Sequence, residues 1–241
     1  MTRTTRLFVA AALLVCGGGL SADSTQTIER ALGPYYAALV SSARGNTDAT
    51  SRHLLLFASR WETASREVRK SPPREVDQDP QWPALLDNVS AVIARARELV
   101  RHQDIASAHA ELETIRAAIR DIHARHNALT FDDHMTDYHE AMERMVGHAA
   151  GRNEIRLTPH DFADMEEDLQ AGLTAWRAVQ ASAGPLAGDA GWKSAARAAD
   201  TALDQARRAL AAKNATAAGV AAERMRTTYY DLLMAVSKAR G

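Results

Sequence analysis

Residues 82–123 read WPALLDNVSAVIARARELVRHQDIASAHAELETIRAAIRDIH, and their pattern decides the fold. The first half places Leu85, Val89, Val92, Ile93, Ala96 and Val100 at helical spacing. The second places Ile105, Ala108, Leu112, Ile115, Ile119 and Ile122 in a 3-4-3-4-3 series. Apolar residues three and four apart share one face of an α-helix, and this series wants a single buried seam. Shifted by 110 positions, the stretch falls without a gap on residues 192–233, WKSAARAADTALDQARRALAAKNATAAGVAAERMRTTYYDLL. Trp82 lands on Trp192, Asp104 on Asn214, Glu113 on Glu223 and Arg116 on Arg226. Upstream, Trp61 pairs with Trp176 and Tyr36 with Tyr138 once the loops take gaps. A repeat of about 100 residues that holds four helices is a whole bundle, not a solenoid unit.

Working outward, eight helical segments are expected. They are Ser24 to Ala43, Thr50 to Arg69, a third capped by Asp79 with Pro80 in its first turn, and a fourth from near Asp104. The others run from Asp132 to Ala149, from Thr158-Pro159 past Trp176, from Ala190 to Ala212 and from Ala215 to Ala239. Gly45-Asn46, Pro72-Pro73 and the Gly184-Pro185 to Gly188 loop punctuate them. The expected fold is all-α, with two tandem antiparallel four-helix bundles at 24–127 and 132–239.

The first 22 residues read as a secretory signal. Arg3 and Arg6 precede the apolar run Leu7 to Val15, and Leu20-Ser21-Ala22 offers small residues for cleavage. The run is too short to span a bilayer as a stable helix, which takes about 20 residues. Cys16 opens a lipoprotein route, but Val15 stands where a lipid-attachment box wants a small residue. The expected product is periplasmic or secreted and has no cysteine, which removes disulfides, thiolate ligands and a Cys nucleophile. With 29 Lys and Arg against 30 Asp and Glu, no basic excess favours nucleic acid. No further segment is apolar enough to be a transmembrane helix.

Candidate chemistry is concentrated in the middle of the chain. DDHMTDYHEAMERMVGH, residues 132–148, holds His134, Asp137, His139, Glu140, Met142, Glu143, Met145 and His148. His109 with Glu113, and His139 with Glu143, are i, i+4 pairs that can share an ion. The linker Asn127 to Phe131 is short, so the fourth and fifth helices should be antiparallel neighbours. Residues whose numbers sum to about 260 would then lie level: His123 with His139, Arg116 with Glu143, and Glu113 with His148. The metal-ligand candidates are therefore His109, Glu113, His123, His139, Glu143 and His148. Imidazole and carboxylate suit Zn, Fe or Mn, and thioether with imidazole suits Cu.

The same residues allow a structural reading. Met135, Tyr138, Met142 and Met145 follow a core stripe. His109, Glu113, Arg116, Arg120 and His123 lie one position beyond the apolar seam, as a solvated boundary would, and Arg116 with Glu143 could be an interhelical ion pair. There is no Gly-rich phosphate loop, no Gly-x-Ser-x-Gly and no His-Glu-x-x-His; Glu143 stands where the second His of the last would be. A non-enzymatic role is expected.

Residues 99–123, LVRHQDIASAHAELETIRAAIRDIH, resemble the last helix, with its preceding turn, of the soluble four-helix b-type cytochromes. The resemblance implies a bundle and places His123 at the haem-ligating position. It implies haem b as an alternative cofactor; the family's second ligand is a Met early in the first helix, which Ser24 to Ala43 lacks, and Met142 or His139 would be an atypical partner. In the second half Leu233 occupies the equivalent of His123. Three readings follow: a periplasmic binder of a metal ion or small ligand for storage, delivery or sensing; a b-type haem protein; and a cofactor-free interaction module that uses the groove between bundles.

Overall fold

The computed structural model describes residues 20–149 and 157–241, with side chains from residue 24. The expected leader up to residue 19, Cys16 included, lies outside the described residues. The described residues form eight α-helices: α1 (Leu20–Ala43), α2 (Thr47–Lys70), α3 (Trp82–Arg101), α4 (Ile105–Arg125), α5 (Phe131–Ala149), α6 (Pro159–Ser182), α7 (Ala190–Ala211) and α8 (Ala215–Ala239). No strand occurs among the described residues, and no helix there is long and apolar enough to cross a membrane.

The expected architecture holds: the protein is all-α, two tandem antiparallel four-helix bundles. In the first, α1 packs on α2, α2 on α3, α3 on α4 and α4 on α1; α5 to α8 close a second ring in the same order. The repeat extends to individual contacts. Trp61 Nε1 donates to Ser90 Oγ at 3.2 Å, and Trp176 Nε1 donates to Asp200 Oδ1 at 2.7 Å. Ser90 and Asp200 are themselves 110 positions apart. The turns before α4 and α8 also match. Gln103 (φ 63°) and Lys213 (φ 49°) take left-handed backbone, and the following Asp104 and Asn214 side chains accept from Ser107 N and Ala217 N. Each satisfies an amide that the first turn leaves without a helical partner.

Helix α3 starts later than the sequence suggested. Asp79 does not cap it; its carboxylate accepts from Gln81 N and is held by Arg125 and His126. The Pro at the helix start is Pro83, not Pro80. Asp79 is spent on fastening the 71–81 loop to the end of α4, so the helix begins beyond it.

The two bundles lie side by side. α1 packs on α8, and α4 on α5, so the four central helices form a third four-helix arrangement. Every residue of α1 from 31 to 42 is buried, because α2, α4 and α8 cover it. A helix apolar all round belongs in an interior, and ALGPYYAALVSS meets that description. Gly33 permits the close approach of α8: a Cβ there would stand 3.2 Å from Arg240 Cβ. The apolar core runs continuously through both bundles.

Candidate functional site at the bundle junction

The seam between the bundles is polar, and α4 supplies its centre. Arg116 sits one position beyond the apolar stripe of α4. In an isolated bundle that position would face water, but here α5 and α8 cover it and only 7% of the side chain is exposed. Its guanidinium donates to Tyr229 Oη at 2.7 Å and pairs with Glu113. Its Nη2 lies 2.7 Å from Nδ1 and 2.8 Å from Nε2 of His139, within reach of whichever ring nitrogen is unprotonated. A buried cation needs this density of partners, since an unpaired one costs several kcal/mol, roughly 3–5 when a partner is removed.

Beside Arg116 a groove of about 440 Å³ opens, lined by Ala43, His109, Glu113, His139, Glu143, Arg226 and Tyr230. Four of the six sequence-predicted ligands thus meet at one place. His109 Nε2 is 3.4 Å from Glu113 Oε1, and His139 Nε2 is 3.6 Å from Glu143 Oε1. Ser42 Oγ lies 2.9 Å from Leu39 O and 2.9 Å from His109 Nδ1, and shares a hydrogen bond with each. With Nδ1 engaged there, Nε2 is the ring nitrogen on the side of Glu113 and the groove. Burial, and then the Arg116 charge, hold the His109 imidazole below the usual histidine range. The same two causes push His139 well below it. Burial raises the Glu143 carboxyl. Among the described residues, no three His, Cys, Asp or Glu side chains converge in metal-holding geometry.

The other two predicted ligands lie elsewhere. His123 donates from Nδ1 to the buried Asp133 Oδ2 at 2.7 Å, two hydrogen-bonded layers nearer the α4–α5 turn. His148 faces α6, 3.4 Å from Asp168. The expected register was about one turn out. Arg116 meets His139, Arg120 meets Asp137 and His123 meets Asp133, so level residues sum to about 256. The cause is the hairpin: α4 ends at Arg125 and α5 starts at Phe131, which centres the turn on residue 128. The haem alternative paired His123 with His139, which sits two layers away at Arg116, or with Met142. Met142 is fully buried in the core of the second bundle, nine residues along α5 from Asp133, or about 13 Å at 1.5 Å per residue. The structure does not bring the two together.

A second buried polar cluster ties the far end of the seam, and the sequence reading missed it. Asp132 on α5 accepts from Tyr36 Oη on α1 at 2.6 Å and from Arg240 Nη1 at 2.9 and 3.0 Å. Asp132 and Asp133 read as ordinary acidic residues at a helix start. The available cue was α1 itself, whose apolar circumference requires a neighbour beyond its own bundle. No protein-family model, curated protein or solved structure matches this chain.

Proposed function

We propose that this protein is a non-catalytic, exported metal binder that stores, delivers or senses a divalent transition metal in the periplasm, with the groove at the bundle junction as its site. The observation that carries the reading is the pair of i, i+4 units, His109–Glu113 and His139–Glu143, on neighbouring helices and facing one groove. Metal binding requires unprotonated imidazoles, and burial beside Arg116 favours that form in both. Ligating histidines commonly donate their second nitrogen to a fixed acceptor; Ser42 Oγ, 2.9 Å from His109 Nδ1, is placed for that role. The donor set of imidazole and carboxylate suits Zn or Fe. Arg116 is the resident cation of the cluster. An incoming ion takes over its charge at Glu113, while Tyr229 keeps a hydrogen bond for the guanidinium.

Calorimetric titration of chelator-stripped protein with Zn(II), Fe(II), Mn(II) and Cu(II) tests the proposal. One saturable site is expected for Zn or Fe, weakened about tenfold or more in His139→Ala, the least change seen for supporting residues around such ions. The reading fails if none of the four metals gives binding heat or moves the melting temperature.

A further inference from the structure

A separate cavity of about 270 Å³ lies at the other end of the seam, between the start of α1, the 71–81 loop and the α4–α5 turn. Its apolar walls include Ile28, Leu32, Val76, Ile119 and Leu129. His123 lines it. The ring is held by Asp133, of which 1% is exposed and whose Oδ2 also accepts from Thr130 N at 2.7 Å and Thr130 Oγ1 at 2.8 Å. Those two bonds belong to any Thr-x-x-Asp helix start, as at Thr158 and Asp161; the imidazole adds a third donor to the same oxygen. With Nδ1–H committed to Asp133, Nε2 is the ring nitrogen left for a ligand, and in the neutral ring it is an acceptor.

The remaining polar lining sets the sign of what can enter. Glu29, Glu75 and Asp132 contribute carboxyl groups, and no Lys or Arg is among the lining residues. Arg240 already pairs with Asp132 from outside the lining, so a carboxylate or phosphate would meet Glu29 and Glu75 with no lining cation to pair with. An apolar cavity of about 150 Å³ already takes benzene, so this one has room for a substituted ring. We infer that the cavity is a second binding site, distinct from the junction groove, for a small aromatic molecule that carries a hydrogen-bond donor and no negative charge, with His123 Nε2 as the acceptor. A site built to accept a donor rejects the analogue that lacks one, because its own polar group is then buried without a partner.

The test is ligand-observed NMR on the full chain in the presence of EDTA, which keeps the outcome independent of any metal at the junction. The probes are phenol (neutral donor), benzylamine (cationic donor), toluene (no donor) and benzoate (anion). Phenol or benzylamine should bind at least tenfold more tightly than toluene and benzoate, and which of the two leads tells whether the natural head group is neutral or charged. His123→Leu should bring both donors down to the level of toluene. Leu129→Trp, at an exposed linker position that lines the cavity, should abolish binding without lowering the melting temperature. The inference is overturned if toluene matches the donors, if benzoate binds best, if either variant binds as the wild type does, or if no probe saturates.

Discussion

Glu113 and Arg116 on α4, and Glu223 and Arg226 on α8, are the same two residues at the same spacing, 110 positions apart, in opposite surroundings. Arg116 is 7% exposed and bonded to residues on two other helices, whereas Arg226 is 36% exposed and pairs with Glu223 on its own helix. Tyr36 and Tyr138 differ in a similar way. Both are buried, but Tyr36 Oη donates to Asp132 while Tyr138 Oη has no partner among the described residues. Position within the pair of bundles, rather than residue type or local helix, sets the role of each. Repetition supplies the scaffold, and the one face on which the copies meet turns boundary residues into a buried polar layer.

The largest predicted contrast is between the two arginines. Arg116→Ala should cost about 3–5 kcal/mol in urea unfolding, since it strands a buried cluster. Arg226→Ala should stay within about 0.5 kcal/mol, as an exposed pair does. Equal losses would mean that the junction is not the buried layer described. The tyrosines come next. Tyr36→Phe should cost about 1.5–3 kcal/mol, the range for a hydrogen bond to a charged group. Tyr138→Phe should be neutral or stabilising, because it removes a hydroxyl that is buried without a partner. A comparable loss at both positions would erase the distinction.

Where the surroundings of the two halves match, the effects should match too. Asp104→Ala and Asn214→Ala each remove a cap from equivalent turns and should each cost about 1 kcal/mol. A twofold disagreement in thermal melts would show that the turns are not equivalent. The smallest effect is a slope with pH. His109 and His139 are held below the ordinary histidine value of about 6.5. Their contribution is complete above that pH and is lost as pH falls, because the unfolded chain takes up protons first. Stability should therefore decline from pH 7 towards 5, and His139→Leu should flatten the decline. A profile unchanged by the substitution would remove His139 as its source.

The bundles were legible in the sequence because helix periodicity, caps and the paired Trp61 and Trp176 are local or repeated signals. The meeting of His109, Glu113, His139 and Glu143 was legible as well, since a short linker forces α4 beside α5. The exact level was not: whether Arg116 meets Glu143 or His139 turns on where α4 stops, and a helix end is the least determined feature of a pattern. The roles of Tyr229, Arg240 and Asp132 were hidden for another reason. They come from contacts between α4 and α8, between α1 and α5, and between α5 and the end of α8, which no spacing within one helix encodes.

Metal content tests the central claim most directly. Protein isolated from its native cells without chelators should carry about one equivalent of a divalent transition metal, as one closed site requires. The Glu223→Ala variant should retain it, and the His109→Ala/His139→Ala double variant should lose it while remaining folded. Wild-type protein free of metal, or a double variant that holds as much as the wild type, would contradict the account.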